Sequence, residues 1–210
     1  MRVVILTNGE YGDYSFCKDI GAYEYVICAD YGMHHATKLG IEPDIIVGDF
    51  DSISKEELLS FTNRGIKIIK FPPEKDMTDT EIAVQKAIEL GANKIDIYGG
   101  IGSRLDHTLG NVQLLYGLLI KGIEARLLNP NNEVSITNST ICIDGEKGQL
   151  ISLIPLFDNV EGVTTIGLAY SLDNDVLPIG RALGVSNFML SSNAEVSVKK
   201  GTLLVIKARD

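Results

Sequence analysis

The sequence predicts an α/β unit built on a mostly parallel sheet, followed by a small antiparallel β sandwich or open barrel. Three observations carry this. Between residues 2 and 128, short β-branched runs alternate with longer amphipathic ones; the cluster Asn129-Pro130-Asn131-Asn132 then interrupts the chain; beyond it, only short runs rich in Thr, Val, Ser and Ile recur. Strands that alternate with helices imply a parallel, Rossmann-like sheet covered on both faces. The domain boundary is therefore expected at the Asn/Pro cluster, giving domains 1–130 and 131–210.

In order, Val3–Leu6, Glu24–Cys28, Asp44–Val47, Ile66–Phe71, Lys94–Tyr98 and Glu124–Leu128 read as the strands of the first unit. Ser54 with Glu57 and Thr78 with Glu81 match the capping box that starts a helix, and Gly91 and Gly122 stand where glycines end two others. In the second unit Glu133–Thr137, Gln149–Ile154, Val160–Thr165, Glu195–Val198 and Leu203–Lys207 read as strands, with no helical period between them.

The 210 residues carry 28 Asp+Glu against 19 Lys+Arg, a formal net charge of −9, and the sequence pI is about 4.8. Nucleic acid and anionic membrane surfaces are recognised by clustered Lys and Arg, so neither is an expected partner. The apolar run after Met1-Arg2 is too short for a secretory signal core, and the run from Leu114 to Ile120 is interrupted by Gly117, whereas a membrane span needs about 20 residues. A cytoplasmic protein is expected. Cys17, Cys28 and Cys142 are odd in number and widely spaced, which points to reduced cysteines that mostly serve packing, not a disulfide framework or a zinc site.

In an open parallel sheet, ligands lie beyond the carboxyl ends of the strands. Four successive strand ends carry polar clusters: Ala29-Asp30-Tyr31-Gly32, Gly48-Asp49-Phe50-Asp51-Ser52, Asp76-Met77-Thr78-Asp79, and Gly99-Gly100-Ile101-Gly102-Ser103-Arg104-Leu105-Asp106-His107. Read as extended backbone, Asp49-Phe50-Asp51 points both carboxylates to one side. With Asp76 and Asp79 they form a cluster whose repulsion a divalent cation would relieve, and Mg²⁺ suits carboxylate, water and phosphate oxygens. A cap or helix-dipole role is the alternative for any one of these acids.

Gly99, Gly100 and Gly102 leave bare backbone beside a helix expected to begin near Asp106 or His107, a setting that favours a phosphate. Arg104 adds a guanidinium fork. Its alternative is a surface salt bridge, that of Asp106 is an N-cap, and that of His107 is packing. Neither a Walker A loop nor a dinucleotide fingerprint is present, and no nucleophile elbow accompanies Ser103 and His107. Carboxylates, a glycine loop and an arginine are the parts of phosphoryl-type transfer.

In order and spacing, these four segments resemble the motifs of the thiamine pyrophosphokinase family, the Gly-Asp-Phe-Asp-Ser block most specifically. Gly167-Leu168-Ala169-Tyr170-Ser171-Leu172 and Val185-Ser186-Asn187 are similar to that family's second-domain motifs. Tyr31 stands where glycine is common in the family, and Ser103 where glycine often precedes the arginine. The resemblance implies a catalytic domain at 1–130 that binds ATP and Mg²⁺, and a β-sandwich domain at 131–210 for thiamine binding and dimerisation. It also implies a homodimer with its active site at the interface and the reaction ATP + thiamine → AMP + thiamine diphosphate. It assigns Asp49, Asp51, Asp76 and Asp79 to catalysis and metal, and Asp30, Gly99, Gly100, Gly102, Arg104, Asp106 and His107 to ATP. Tyr170, Ser186 and Asn187 are the candidates for thiamine. On the residues alone, two rivals are a metal-dependent phosphohydrolase or nucleotidyl transferase, and a nucleotide-sensing module without chemistry.

Overall fold

The computed structural model describes residues 1–51, 53–72, 74 and 76–209, with the side chains of Lys55 and Glu57 outside that description. Two compact units result, Met1–Pro130 and Asn131–Asp210. The first runs β1 (Arg2–Leu6), two short 3-10 turns (Ser15–Cys17 and Ile20–Ala22), β2 (Tyr25–Ala29), α1 (Gly32–Leu39), β3 (Ile45–Gly48) and α2 (Lys55–Asn63). It continues with β4 (Lys67–Lys70), α3 (Asp79–Glu89), β5 (Lys94–Tyr98), α4 (Leu105–Leu119) and β6 (Glu124–Leu128). The strands lie in the order β6-β5-β1-β2-β3-β4, and each neighbouring pair is parallel. The predicted fold class is the observed one.

Alternation explains how both faces of this sheet are covered. Val4, Leu6, Val26, Cys28 and Ile46 pack with Met33 and Ala36 of α1 and Phe61 of α2. The intervening Val3, Ile5, Ile27, Ile45 and Val47 are equally buried, and α3 packs across β1, β2 and β3 while α4 packs on β6. Cys17 and Cys28 belong to the buried core, so their thiols are packing groups; burial pushes Cys17 up to about 12.

Helix ends fall where side-chain chemistry directs them. Thr78 is the N-cap of α3, its Oγ1 accepting the Glu81 N–H at 3.1 Å, while Gly91 and Gly122 take φ of 83° and 72° just past α3 and α4. Residue Ser54 precedes α2 as a cap should, and its Glu57 partner side chain lies outside the described residues. Thr78→Ala is expected to lower unfolding free energy by about 1 kcal/mol, read from the urea midpoint; an unchanged midpoint would show that the cap is dispensable.

The second unit contains β7 (Asn132–Thr137), β8 (Thr140–Asp144), β9 (Leu150–Pro155), β10 (Val160–Ile166), β11 (Asp175–Leu177), β12 (Asn187–Phe188), β13 (Asn193–Ser197) and β14 (Leu203–Ala208). They pair antiparallel in the orders β12-β9-β14-β7 and β11-β10-β13-β8. Ile151, Leu153, Leu203 and Val205 of the one set meet Val160, Val163, Leu177, Ala194 and Val196 of the other in a common core. This is a sandwich, not an open barrel. No helix among the described residues is long and apolar enough to cross a membrane.

Candidate active site

The chain steps outward from β1 to β4 and then returns to place β5 on the other side of β1. The connections that follow β1 and β5 therefore run to opposite sides of the sheet, which makes this the switch point beside which doubly wound sheets bind ligands. A cavity of about 710 Å³ lies there. It is lined by Asn8, Gly9 and Glu10 after β1, Asp30 and Tyr31 after β2, Asp49 after β3, Met77 to Thr80 at the start of α3, Gly99, Gly100, Gly102 and Arg104 after β5, and His107, Thr108 and Asn111 of α4.

The carboxylates are arranged differently from the extended reading of the sequence. Phe50 adopts φ 59° and is only 4% exposed, packed in the core beside α1 and α2. Sinking that ring turns the backbone left-handed, and Asp49 Oδ1 accepts the Asp51 N–H at 3.1 Å, so strand alternation does not set the two side chains. Asp49 faces the cavity with Asp30 and Asp79. Asp51 and Asp76 are exposed and are not among its lining residues, while Ser52 lies outside the described residues.

Among the described residues no group of three or more His, Cys, Asp or Glu stands ready to hold a metal, so the expected four-carboxylate cluster is not assembled. The donors still suit Mg²⁺, which is usually bound by one or two carboxylates plus waters and substrate phosphates instead of a protein cage. Asp49 and Asp79 offer that, Asp79 in the first turn of α3 beside its Thr78 cap.

The glycine loop is built tightly on one side and left open on the other. Gly99 has φ 74°, and a Cβ on Gly9 would lie 2.1 Å from the Gly99 carbonyl oxygen, so the β1 and β5 loops meet backbone to backbone. Asn111, 8% exposed, donates from Nδ2 to the Gly100 carbonyl at 2.7 Å. Thr108 Oγ1 accepts the Gly102 N–H at 3.2 Å. A Cβ on Gly102 would meet nothing within 4 Å, which leaves that backbone bare at the cavity.

Arg104 reaches the cavity already engaged. Its Nε and Nη2 donate to Asp106 at 3.2 and 2.5 Å, both side chains being exposed. The hydrogen bonds to Arg104 bring Asp106 down to about 2 and raise the arginine. α4 begins at Leu105 with Arg104 in the cap position and no side-chain cap, so Asp106 is an ion-pair partner, not an N-cap. His107 lines the cavity from the next position.

The end of β1, where Asn8-Gly9 one residue past the strand marks a turn, was not among the strand ends that the sequence singles out. Thr108, Asn111 and His35 also line the cavity, and the sequence marked none of them. In the second unit, Tyr170 is 67% exposed and meets Phe188 edge to face at 6.0 Å. Asn187 is buried. Its Oδ1 accepts the Tyr170 and Phe188 N–H groups at 3.0 and 2.9 Å, and its Nδ2 donates to the Tyr170 carbonyl at 2.8 Å, so it fixes the backbone that presents Tyr170. Ser186 is exposed at φ 61°, its N–H donating to Ser152 at 3.2 Å.

Residues 17–127 match the family model for the thiamin pyrophosphokinase catalytic domain, and residues 138–203 match that for its vitamin B1 binding domain. Thiamine pyrophosphokinase of Bacillus subtilis is 32% identical over 186 residues, covering 88% of this chain and 87% of that protein. A crystal structure of the Bacillus subtilis thiamine pyrophosphokinase superposes with a TM-score of 0.89 at 29% identity, covering 100% of both chains. Thiamin pyrophosphokinase from Candida albicans, 17% identical with a TM-score of 0.82 over 99% of this chain and 90% of that one, shares the fold. Two domain matches along the chain, and a relative aligned over 87% of its own length, show that this chain belongs to the thiamin pyrophosphokinase family of enzymes.

Proposed function

We propose that this enzyme transfers the pyrophosphoryl group of ATP to the hydroxyl of thiamine, giving thiamine diphosphate and AMP. The observation that carries the reading is the cavity at the β1/β5 switch point, where bare glycine backbone, Arg104 and carboxylates line one space. In this reading residues 1–130 bind the nucleotide. The absence of side chains at Gly99, Gly100 and Gly102 lets phosphate oxygens come close to the loop, with Arg104, His107 and the start of α4 beside it to bind them. Asp30 lies at the same rim and Asp106 orients Arg104. Asp49 and Asp79, which line the cavity, would hold Mg²⁺, with Asp51 and Asp76 outside its wall as further candidates, and the ion would supply charge neutralisation along the triphosphate.

The thiamine oxygen attacks the β-phosphorus in line, a new O–P bond forms as the bridge to the α-phosphate breaks, and AMP leaves with that bridging oxygen. Asp79, on the cavity wall, is the better placed of Asp76 and Asp79 to receive the hydroxyl proton. Residues 131–210 take thiamine, with Tyr170 and Ser186 exposed to contact it and Asn187 fixing the backbone of Tyr170. Ile166, Tyr170, Ile179, Leu183 and Leu190 are exposed in that unit, apolar surface that supports its role in a homodimer with the active site at the interface. The free, buried Cys17 and Cys28 are in keeping with a cytoplasmic enzyme.

Incubation with Mg-ATP and thiamine, followed by separation of nucleotides, is expected to give AMP and thiamine diphosphate in equal amounts. ADP as the product, or nucleotide breakdown that proceeds equally well without thiamine, overturns the assignment.

A further inference from the structure

The β5 glycine loop is backed by aromatic rings that the reaction itself does not require. Tyr11 is 2% exposed, its ring stacks on the His35 imidazole with centroids 3.7 Å apart, and its hydroxyl donates to the Tyr98 carbonyl at 2.9 Å. Tyr98 is the last residue of β5, and a Cβ on Gly99 would lie 2.7 Å from the Tyr11 ring. The ring is thus wedged against the first glycine of the loop.

His35, on α1, is 9% exposed and belongs to the cavity wall. The Tyr14 hydroxyl lies 2.8 Å from its Nδ1, and the ring also interacts with the Gly9 backbone. A neutral imidazole with its proton on Nε2 accepts from Tyr14 at Nδ1 and leaves an N–H for the Gly9 carbonyl. Burial first, and Lys38 next, bring this histidine down to about 4, so it is neutral at pH 7. One imidazole therefore ties together α1, the turn at Tyr14, the β1 loop at Gly9 and the ring that abuts Gly99.

We propose that His35, acting through Tyr11, is a positioning residue for nucleotide binding: it sets where the Gly99–Gly102 backbone stands at the cavity. The proposal rests on the reading of this cavity as the nucleotide site. His35→Ala leaves a gap behind Tyr11, and binding of α,β-methylene-ATP with Mg²⁺ is expected to weaken about tenfold, the order set by one buried aromatic contact and one hydrogen bond. KM for ATP should rise in parallel, with kcat and KM for thiamine within about twofold of the parent. His35→Phe retains a stacking ring and is expected to recover analogue affinity to within about threefold.

Calorimetric titration of the intact enzyme with the analogue reads this separately from turnover. A protein that makes no thiamine diphosphate, yet binds the analogue about tenfold more weakly as His35→Ala, supports the positioning role while removing the proposed reaction. Unchanged analogue affinity in His35→Ala overturns the inference, as does no analogue binding by the parent. So do equal losses in kcat and in both KM values that His35→Phe does not restore, because those mark a general structural role.

Discussion

Replacement of Asp49 by Asn is expected to lower kcat for thiamine diphosphate formation by roughly 10²–10³-fold, the scale of removing one essential electrostatic group from a phosphoryl-transfer site. Asn matches Asp in shape and keeps the oxygen that accepts the Asp51 N–H, so the turn around buried Phe50 survives and only the charge is lost. The thermal midpoint should accordingly stay put. Asp51→Asn is expected to abolish turnover as well, with the fold retained. Since Asp51 does not line the cavity, near-normal activity there would remove it from the metal set while leaving Asp49 and Asp79 in place. Activity of Asp49→Asn within about threefold of the parent would sink the metal assignment itself.

The turn at Phe50 shows where local pattern stops being informative. The motif pointed to the right family, yet alternation assumed a strand that the chain has already left: β3 ends at Gly48, and Phe50 lies 4% exposed in the core. Core packing, a long-range demand, overrode the local period. The β1 loop escaped notice for a related reason. Nothing near Asn8-Gly9 announces that β1 will sit beside β5, with Leu6 in register with Tyr98, and that pairing is what makes the end of β1 one wall of the cavity.

Where the governing interactions are local, the sequence was more legible. Thr78 and Glu81 are three residues apart, and the cap they predict is present. The apolar strands of the first unit lie within a residue or two of their expected bounds, because parallel strands buried on both faces must read as apolar runs. In the second unit β8, β11 and β12 went unread. β11 has three residues and β12 two, and the exposed positions of Thr140–Asp144 break its apolar run. Arg104 and Asp106, two residues apart, left phosphate binding and a salt bridge both open from sequence. The structure shows the ion pair, with Arg104 on the cavity wall.

Arg126→Leu is expected to cost about 3–5 kcal/mol of stability, the range for stranding one member of a buried ion pair, out of the roughly 5–15 kcal/mol typical of a folded domain. Asp96 and Arg126 are register partners on β5 and β6. The Asp96 side chain is 0% exposed, and Arg126 Nε and Nη2 donate to its two oxygens at 2.7 and 2.6 Å. Tyr23 donates its hydroxyl to the same carboxylate, and burial, reinforced by the Asp96 charge, raises its pKa and keeps it a donor. Leucine removes both guanidinium bonds and leaves the carboxylate inside the sheet with Tyr23 for support. The urea midpoint, followed by far-UV circular dichroism, should fall with little change in slope. The double variant Asp96→Leu with Arg126→Leu should regain most of the loss, because an apolar pair requires no desolvation of charge. A loss below about 1 kcal/mol in Arg126→Leu would put the pair in the class of exposed ion pairs and contradict the burial of Asp96. The consequence reaches the active site through β5: the strand that Asp96 anchors ends at Tyr98, whose carbonyl holds Thr7 and Tyr11 and whose next residue opens the glycine loop.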